Sequence, residues 1–135
     1  LRLIAQSGGG VHSLSHVTGG GIAANLARVL PAGTWVDVDR ATWTPPTVFQ
    51  TLAARGDIPL SDTEGTWNLG IGFVAVVAAD RAADAASALT AEGIATWQVG
   101  VVSEGPRPNG DYVEGAKGVD GGAVRLVGSF AEGAQ

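Results

Sequence analysis

The sequence has 135 residues, of which 45% are hydrophobic and 16% charged, a size and composition typical of one globular domain. A formal net charge of -5, with only eight Lys and Arg residues, argues against a nucleic-acid-binding protein. The absence of cysteine excludes disulfides and thiolate chemistry, and no apolar run approaches the length of about eighteen residues that a membrane span requires. We therefore expect a cytoplasmic protein without a membrane partner.

The N-terminal segment begins with the apolar run LRLIA and does not begin with methionine. This run predicts the last turns of an amphipathic helix, which ends at the glycines of residues 8–10. We expect a chain of this kind to begin partway into a larger protein or domain.

A helix and a strand are predicted next. The apolar residues of the segment 22–30 recur at the spacing of one helix face, and Pro31 and Gly33 end that helix. Residues 34–39, TWVDVD, alternate between apolar and polar side chains and contain β-branched valines. They predict a strand with one buried face.

A second helix follows Pro45 and Pro46, which provide a rigid entrance to it. Its inner side is predicted to contain Val48, Phe49 and Leu52, and Gly56 is expected to provide a left-handed cap. Trp43 and Phe49 are interpreted as core residues.

The middle of the chain contains three further signals. Residues 61–64, SDTE, fit a capping box that begins a single helical turn. The apolar run 73–79, FVAVVAA, predicts a strand buried on both faces at the centre of a sheet. Asp80 is expected to cap a helix that ends before Gly93, and residues 96–102 predict another strand.

The C-terminal part combines a glycine-rich segment with a last strand. Residues 103–122 lack periodicity and predict a mobile surface loop, whereas residues 123–130 alternate as a strand does. An antiparallel hairpin is expected between residues 95–102 and 123–130. The whole pattern predicts an α+β domain with α/β/α layers, in which helices flank a mixed β-sheet.

The segment HSLSHVTGGG carries the first candidate site. The consecutive glycines Gly19, Gly20 and Gly21 precede a helix, so their backbone N–H groups are candidates to bind a phosphate. A purely structural tight turn explains the same glycines, and Thr18 is also a candidate helix cap. Arg28, two helical turns further on, either extends the anion site or pairs with a carboxylate.

Two other patterns are weaker. His12 and His16 are four residues apart, but no third ligand lies close in sequence, so no metal site is predicted. Hydrogen bonding or substrate contact by His16 is the preferred interpretation. The segment NLGIG contains Asn68, Gly70 and Gly72, whose small size permits close approach of a ligand or of another element.

Three segments together resemble one family. HSLSHVTGGGIAANLARVLP, DVDRATWTPPTVFQTLAARGDI and GTWNLGIGFVAVV are similar, in this order, to motifs of the phosphoribosylformylglycinamidine cyclo-ligases, which are the aminoimidazole ribonucleotide synthetases of purine biosynthesis. The resemblance covers residues 11 to about 102. It implies that residues 1–135 form part of the C-terminal domain, and that the N-terminal ATP-binding domain is absent.

The resemblance also implies an activity. The formyl oxygen of formylglycinamidine ribonucleotide is phosphorylated with ATP and Mg²⁺, and an internal nitrogen then closes the imidazole ring and releases phosphate. ATP and Mg²⁺ would be held mainly by the absent N-terminal domain, and the full-length protein would be a homodimer. The partner of this chain would be a small nucleotide substrate, and the isolated chain is expected to be inactive.

The motifs imply site residues as well. His16 is the implied catalytic residue. Substrate or phosphate binding is implied for Thr18, Gly19, Gly20, Gly21, Asn25, Arg28, Asn68, Gly70 and Gly72.

The chain departs from the family pattern at five of these motif positions. Ala24 stands where the family carries an acidic residue, which calls into question any catalytic or magnesium role of that position, and Ala27 replaces a proline. Trp67, Leu69 and Phe73 stand where the family carries Phe, Met and Met.

Two alternatives remain open. One is another ATP-dependent enzyme of the same fold, such as a formylglycinamidine ribonucleotide synthetase or a selenophosphate synthetase, which typically carries an aspartate near the position of His16. The other is a ligand-binding module that catalyses nothing.

Overall fold

The computed structural model describes residues 10–115 and 120–131, so the helix predicted at the N-terminus lies outside the described residues. The strands are β1 (Val11–His16), β2 (Thr34–Asp39), β3 (Phe73–Val77), β4 (Ser103–Glu104), β5 (Val113–Glu114) and β6 (Ala123–Val127). The α-helices are α1 (Gly21–Ala27), α2 (Thr47–Arg55) and α3 (Ala82–Ala91), and 3₁₀ turns cover Arg40–Thr42, Leu60–Thr63 and Ala79–Arg81. In the described ranges, no helix is long and apolar enough to cross a membrane.

A four-stranded sheet has the strand order β4-β2-β6-β5. Its two central strands, β2 and β6, run parallel, while β4 and β5 pair antiparallel at the edges. The sheet is therefore mixed and flanked by helices, which confirms the predicted α+β class. Helix α1 packs on this sheet, and the shared core contains Ile22, Leu26, Leu30, Val36, Val38 and Val124.

A separate two-stranded sheet pairs β1 with β3 in antiparallel register. The sequence patterns did not predict β1, because its serines and histidines have low apolar contrast. They also wrongly placed residues 73–79 at the centre of a sheet. Within the described ranges, strand β3 has one hydrogen-bonded neighbour, and Phe73 at its start is 58% exposed.

The predicted strand 96–102 and its hairpin with β6 are wrong. The region before β4 approaches β2 through single contacts such as the hydrogen bond from Asp39 N to Val99 O, 2.8 Å. A Cβ on Gly100 would meet the Asp37 carbonyl oxygen at 2.5 Å, so only glycine permits this approach. Strand β2, rather than residues 95–102, lies beside β6.

Helix α2 has the predicted position but a different buried side. Val48 and Leu52 are exposed, whereas Ala53 is buried. The cap prediction is also wrong, because Gly56 is right-handed and Asp57 takes the positive φ of 52°. The small Ala53 permits closer packing than the predicted apolar side chains.

Two helix-start predictions are wrong in detail. The expected capping box does not form, because the Ser61 hydroxyl contacts Asp62 Oδ1 and the Glu64 carboxylate pairs with Arg40. Asp80 lies within the 3₁₀ turn before α3, and no side chain caps that helix. The mobility expected for residues 103–122 stays a prediction, although this segment contributes the short strands β4 and β5.

Candidate functional site

The glycine turn, residues 18–21, connects β1 to α1. Gly20 and Gly21 have φ values of 102° and 68°, a backbone conformation that residues other than glycine rarely adopt. The N–H of Gly21 donates to Thr18 O at 3.1 Å, so that donor is already used within the turn. No side chain caps α1, and the first two residues of this helix, Gly21 and Ile22, are buried.

The three glycines have different surroundings. A Cβ on Gly21 would overlap the backbone carbonyl of Glu64, so this glycine is required for the packing of two chain segments. A Cβ on Gly20 would meet Ala24 Cβ at 3.5 Å, an ordinary contact. A Cβ on Gly19 would meet no other atom within 4 Å. Gly19 is therefore the glycine whose surroundings are open to a ligand.

Asn25 stabilises the glycine turn from inside. Its side chain is buried, and Nδ2 donates to Gly21 O at 2.7 Å and to Thr18 O at 3.4 Å. Its Oδ1 accepts hydrogen bonds from Arg28 Nη2 at 2.9 Å and from Thr18 Oγ1 at 3.4 Å. Arg28 also donates from Nε to Ala24 O at 3.0 Å. Among the described residues, Arg28 pairs with no carboxylate, and it lies against the turn because it contacts Asn25.

The NLGIG segment forms a second tight turn. Asn68 Oδ1 accepts the N–H of Gly70 at 3.1 Å, and Gly70 has a φ of 92°. A Cβ on Gly70 would lie 2.5 Å from Pro46 Cδ, which explains this glycine by packing. Leu69 also has a positive φ, 49°, and its carbonyl accepts a hydrogen bond from Trp43 Nε1 at 3.1 Å.

The structure brings these two turns together. The N–H of Val17 donates to Gly72 O at 3.0 Å, and His16 lies opposite Phe73 in the β1–β3 pairing. The rings of His16 and Phe73 are stacked, with centroids 5.7 Å apart and an angle of 19° between their planes. The candidate site is thus a surface where an imidazole lies beside a glycine-rich backbone.

The neighbouring turn of Glu64 is fixed by an ion pair that the sequence patterns missed. Arg40 Nε and Nη2 contact the two carboxylate oxygens of Glu64 at 2.5 and 2.8 Å. The hydrogen bond to Glu64 raises the pKa of Arg40 above its ordinary value. This pair fixes the Glu64 segment, whose carbonyl packs on Gly21. Because the two residues are far apart in sequence, no local pattern could have found it.

A second polar group lies on the four-stranded sheet, and we call Asp37, Tyr112 and Arg125 the charge cluster. Arg125 contacts both carboxylate oxygens of Asp37, at 3.1 and 2.7 Å, and Tyr112 OH donates to Asp37 Oδ1 at 2.8 Å. The hydrogen bond from Arg125 lowers the pKa of the Asp37 carboxyl below its ordinary value. The cluster satisfies its own charges, so it is interpreted as structural.

The described residues do not form a metal site. His12 and His16 are both exposed on β1, and the β1–β3 register is irregular between Val11 and Ser13, at His12. Over residues 10–115 and 120–131, no group of three or more His, Cys, Asp or Glu side chains stands together to bind a metal ion. The groups at the site that can form hydrogen bonds to a ligand are backbone N–H groups and His16, with Thr18 and Asn25 beside them.

Comparisons with known proteins give this site a family context. The family model described as "AIR synthase related protein, C-terminal domain" matches residues 1–113. The chain is 40% identical over 121 residues to a Streptomyces fradiae protein named "Putative phosphoribosylformylglycinamidine cyclo-ligase". This match covers 90% of the present chain and 62% of the Streptomyces protein.

Two further relatives carry the name "Phosphoribosylformylglycinamidine cyclo-ligase". The one from Picosynechococcus is 43% identical over 95 residues, covering 70% of this chain and 28% of the relative. The one from Xanthomonas euvesicatoria pv. vesicatoria is 38% identical over 102 residues, covering 76% of this chain and 30% of the relative. The matches confirm the resemblance, and the chain spans less than two thirds of the length of each relative.

Proposed function

The chain belongs to the family described as AIR synthase related protein, C-terminal domain, and on that premise we propose that it is the C-terminal part of a phosphoribosylformylglycinamidine cyclo-ligase. Such an enzyme would close the imidazole ring of aminoimidazole ribonucleotide from formylglycinamidine ribonucleotide, in the purine pathway of the cytoplasm. The three relatives described above all carry this name, which favours it over a synthetase of the same fold or a non-catalytic module.

One observation carries the proposal. The two glycine-containing segments that resemble the family motifs, residues 16–21 and 68–73, lie against each other although they are far apart in sequence. Ring closure through a phosphorylated formyl group needs donors placed around phosphoryl oxygens and little covalent help from the protein. The glycine turn and His16 supply donors of this kind at one surface.

The proposed roles follow from the contacts. The open backbone at Gly19 would bind a phosphoryl oxygen, because an exposed backbone N–H group at a glycine-rich turn can donate to an anion. His16 would donate a hydrogen bond to the reacting formyl-phosphate oxygen. Asn25 and Arg28 would hold the turn in shape rather than contact the substrate first, since their hydrogen bonds are to backbone and to each other.

ATP would supply the transferred phosphoryl group. We propose that ATP and Mg²⁺ are held mainly by the N-terminal domain that precedes this one in a complete enzyme, and that the complete enzyme is a homodimer. The described residues offer no cluster of carboxylates for magnesium.

A chimeric enzyme tests the proposal. The chain is joined to the N-terminal domain of the Picosynechococcus relative, and ADP release that depends on formylglycinamidine ribonucleotide is measured. We expect no turnover from the chain alone and turnover from the chimera. A chimera that folds and binds ATP without producing aminoimidazole ribonucleotide would contradict the proposal.

A pair of histidine variants locates the site. His16→Ala in the chimera should lower kcat by about a hundredfold, as the loss of one positioned donor typically does. His12→Ala is the matched control, because His12 is exposed on the same strand, and it should leave turnover unchanged. Equal effects of the two substitutions would show that His16 has no special role.

A further inference from the structure

Phe73 is an apolar side chain whose exposure is not explained by core packing. It is 58% exposed at the start of β3, where an aromatic residue would ordinarily be buried. Its backbone pairs with that of His16, so the two side chains project from the same face of the β1–β3 sheet. The rings stack with centroids 5.7 Å apart, within the range of favourable aromatic pairs.

The His16 imidazole has few other restraints. In the ranges 10–115 and 120–131, the ring contact with Phe73 is its one side-chain contact of a polar or aromatic kind, and no hydrogen bond or ion pair holds either nitrogen. The backbone beside it is fixed, because Val17 N donates to Gly72 O. The hydrogen-bonded backbone thus fixes the position of the His16 Cα, and the stack on Phe73 fixes the plane of the imidazole ring.

The chemistry of the ring makes this arrangement useful. Both nitrogens of an imidazole lie at the edge of its plane, so a stack on one face restricts rotation and leaves the nitrogens open to a ligand. A flexible apolar side chain in the place of Phe73 would contact the imidazole without defining its plane in the same way.

We infer that Phe73 is a positioning residue that orients the His16 imidazole toward an anionic oxygen at the glycine turn. This inference rests on the proposed function, because it assigns His16 a ligand. It is distinct from that function, because a cyclo-ligase could operate with a freely rotating His16.

Proton NMR of the 135-residue chain tests the inference, because the chain has two histidines and His12 is an internal reference. Phe73→Leu removes the ring and keeps apolar bulk, while Phe73→Tyr keeps the ring. Val48→Ala is the matched control, since Val48 is 57% exposed on α2. The His16 ring-proton shifts are recorded in each protein during titration with inorganic phosphate.

We expect Phe73→Leu to remove the ring-current shift of His16 and to weaken phosphate binding by about two- to tenfold, the effect of losing one aromatic contact. Phe73→Tyr should retain both the ring-current shift and the phosphate affinity, and Val48→Ala should change neither of them. The inference is overturned if Phe73→Leu leaves the His16 signals in place, or if they move while phosphate affinity stays unchanged. A wild-type His16 that never responds to phosphate would instead contradict the proposed function, and with it the ligand assigned to His16.

Discussion

The glycine turn and the charge cluster stabilise the molecule in different ways. At the glycine turn, backbone packs on backbone, with Gly21 against the Glu64 carbonyl and Asn25 bridging the turn from inside. At the charge cluster, long side chains meet across the sheet, with Arg125 and Tyr112 on the Asp37 carboxylate. The glycine turn depends on the absence of a side chain at Gly21, and the charge cluster depends on the charges of its side chains.

This difference determines what each region tolerates. Closely packed backbone cannot move aside for a methyl group, so the glycine turn should be sensitive to volume and insensitive to pH. A half-buried ion pair can rearrange, but it loses its attraction when the carboxylate is protonated. The four predictions below test this contrast, from the largest expected effect to the smallest.

Gly21→Ala should destabilise the protein most. The added Cβ would overlap the Glu64 carbonyl, and the φ of 68° disfavours alanine, so we expect a loss of about 3 kcal/mol or more, or failure to fold. Gly65→Ala is the control, since its Cβ would meet nothing within 4 Å. Urea unfolding measures both. Equal stability of the two variants would mean that the Glu64 segment moves freely away.

Trp43→Phe should have the next largest effect. Trp43 is buried, and its Nε1 donates to the carbonyl of Leu69, whose positive φ is unusual for a leucine. Loss of this donor should cost about 1–3 kcal/mol of unfolding free energy. The control is Trp97→Phe, because Trp97 is 42% exposed, and it should change stability by about 0.5 kcal/mol or less. A neutral Trp43→Phe would show that the NLGIG turn needs no such support.

Asp37→Asn should affect stability through pH. Because the folded state lowers the pKa of Asp37 below 3.8, the contribution of its carboxylate is complete above that pH and is lost as the pH falls through the lowered value. The variant should lack this part of the acid dependence, which thermal unfolding between neutral pH and pH 2 would measure. Asp80→Asn, at an exposed position, should retain it. Parallel pH curves for wild type and Asp37→Asn would contradict the assignment.

The same contrast explains what the sequence could reveal. Strand β2 was predicted with its observed bounds, because TWVDVD has a local alternation that one buried face imposes. The segments at the glycine turn and the NLGIG turn were identified from their residues alone, because both are short and rich in glycine. Their roles as site residues stay predictions.

The missed features depend on distant partners. Strand β1 is defined by its pairing with β3, and the Arg40–Glu64 pair joins segments that no local pattern connects. The ion pair of Asp37 and Arg125 also requires β2 to lie parallel beside β6. The sequence patterns had instead placed residues 95–102 beside β6, as a hairpin. The one available signal was that both residues occupy polar positions of alternating strands.

Gly19→Val should have the smallest effect on stability and the clearest effect on binding. Gly19 is exposed, its φ lies outside the left-handed region, and an added Cβ would meet no atom within 4 Å, so we expect a change in unfolding free energy of about 0.5 kcal/mol or less. The same side chain would stand where the proposed anion approaches the backbone, and should reduce phosphate affinity at least about tenfold. Gly65→Val is the matched control, with similar open space and no proposed ligand. Phosphate titration and urea unfolding of both variants separate the two effects. Unchanged phosphate affinity in a folded Gly19→Val would remove the anion site from the glycine turn, and Gly21 would then explain the motif by packing alone.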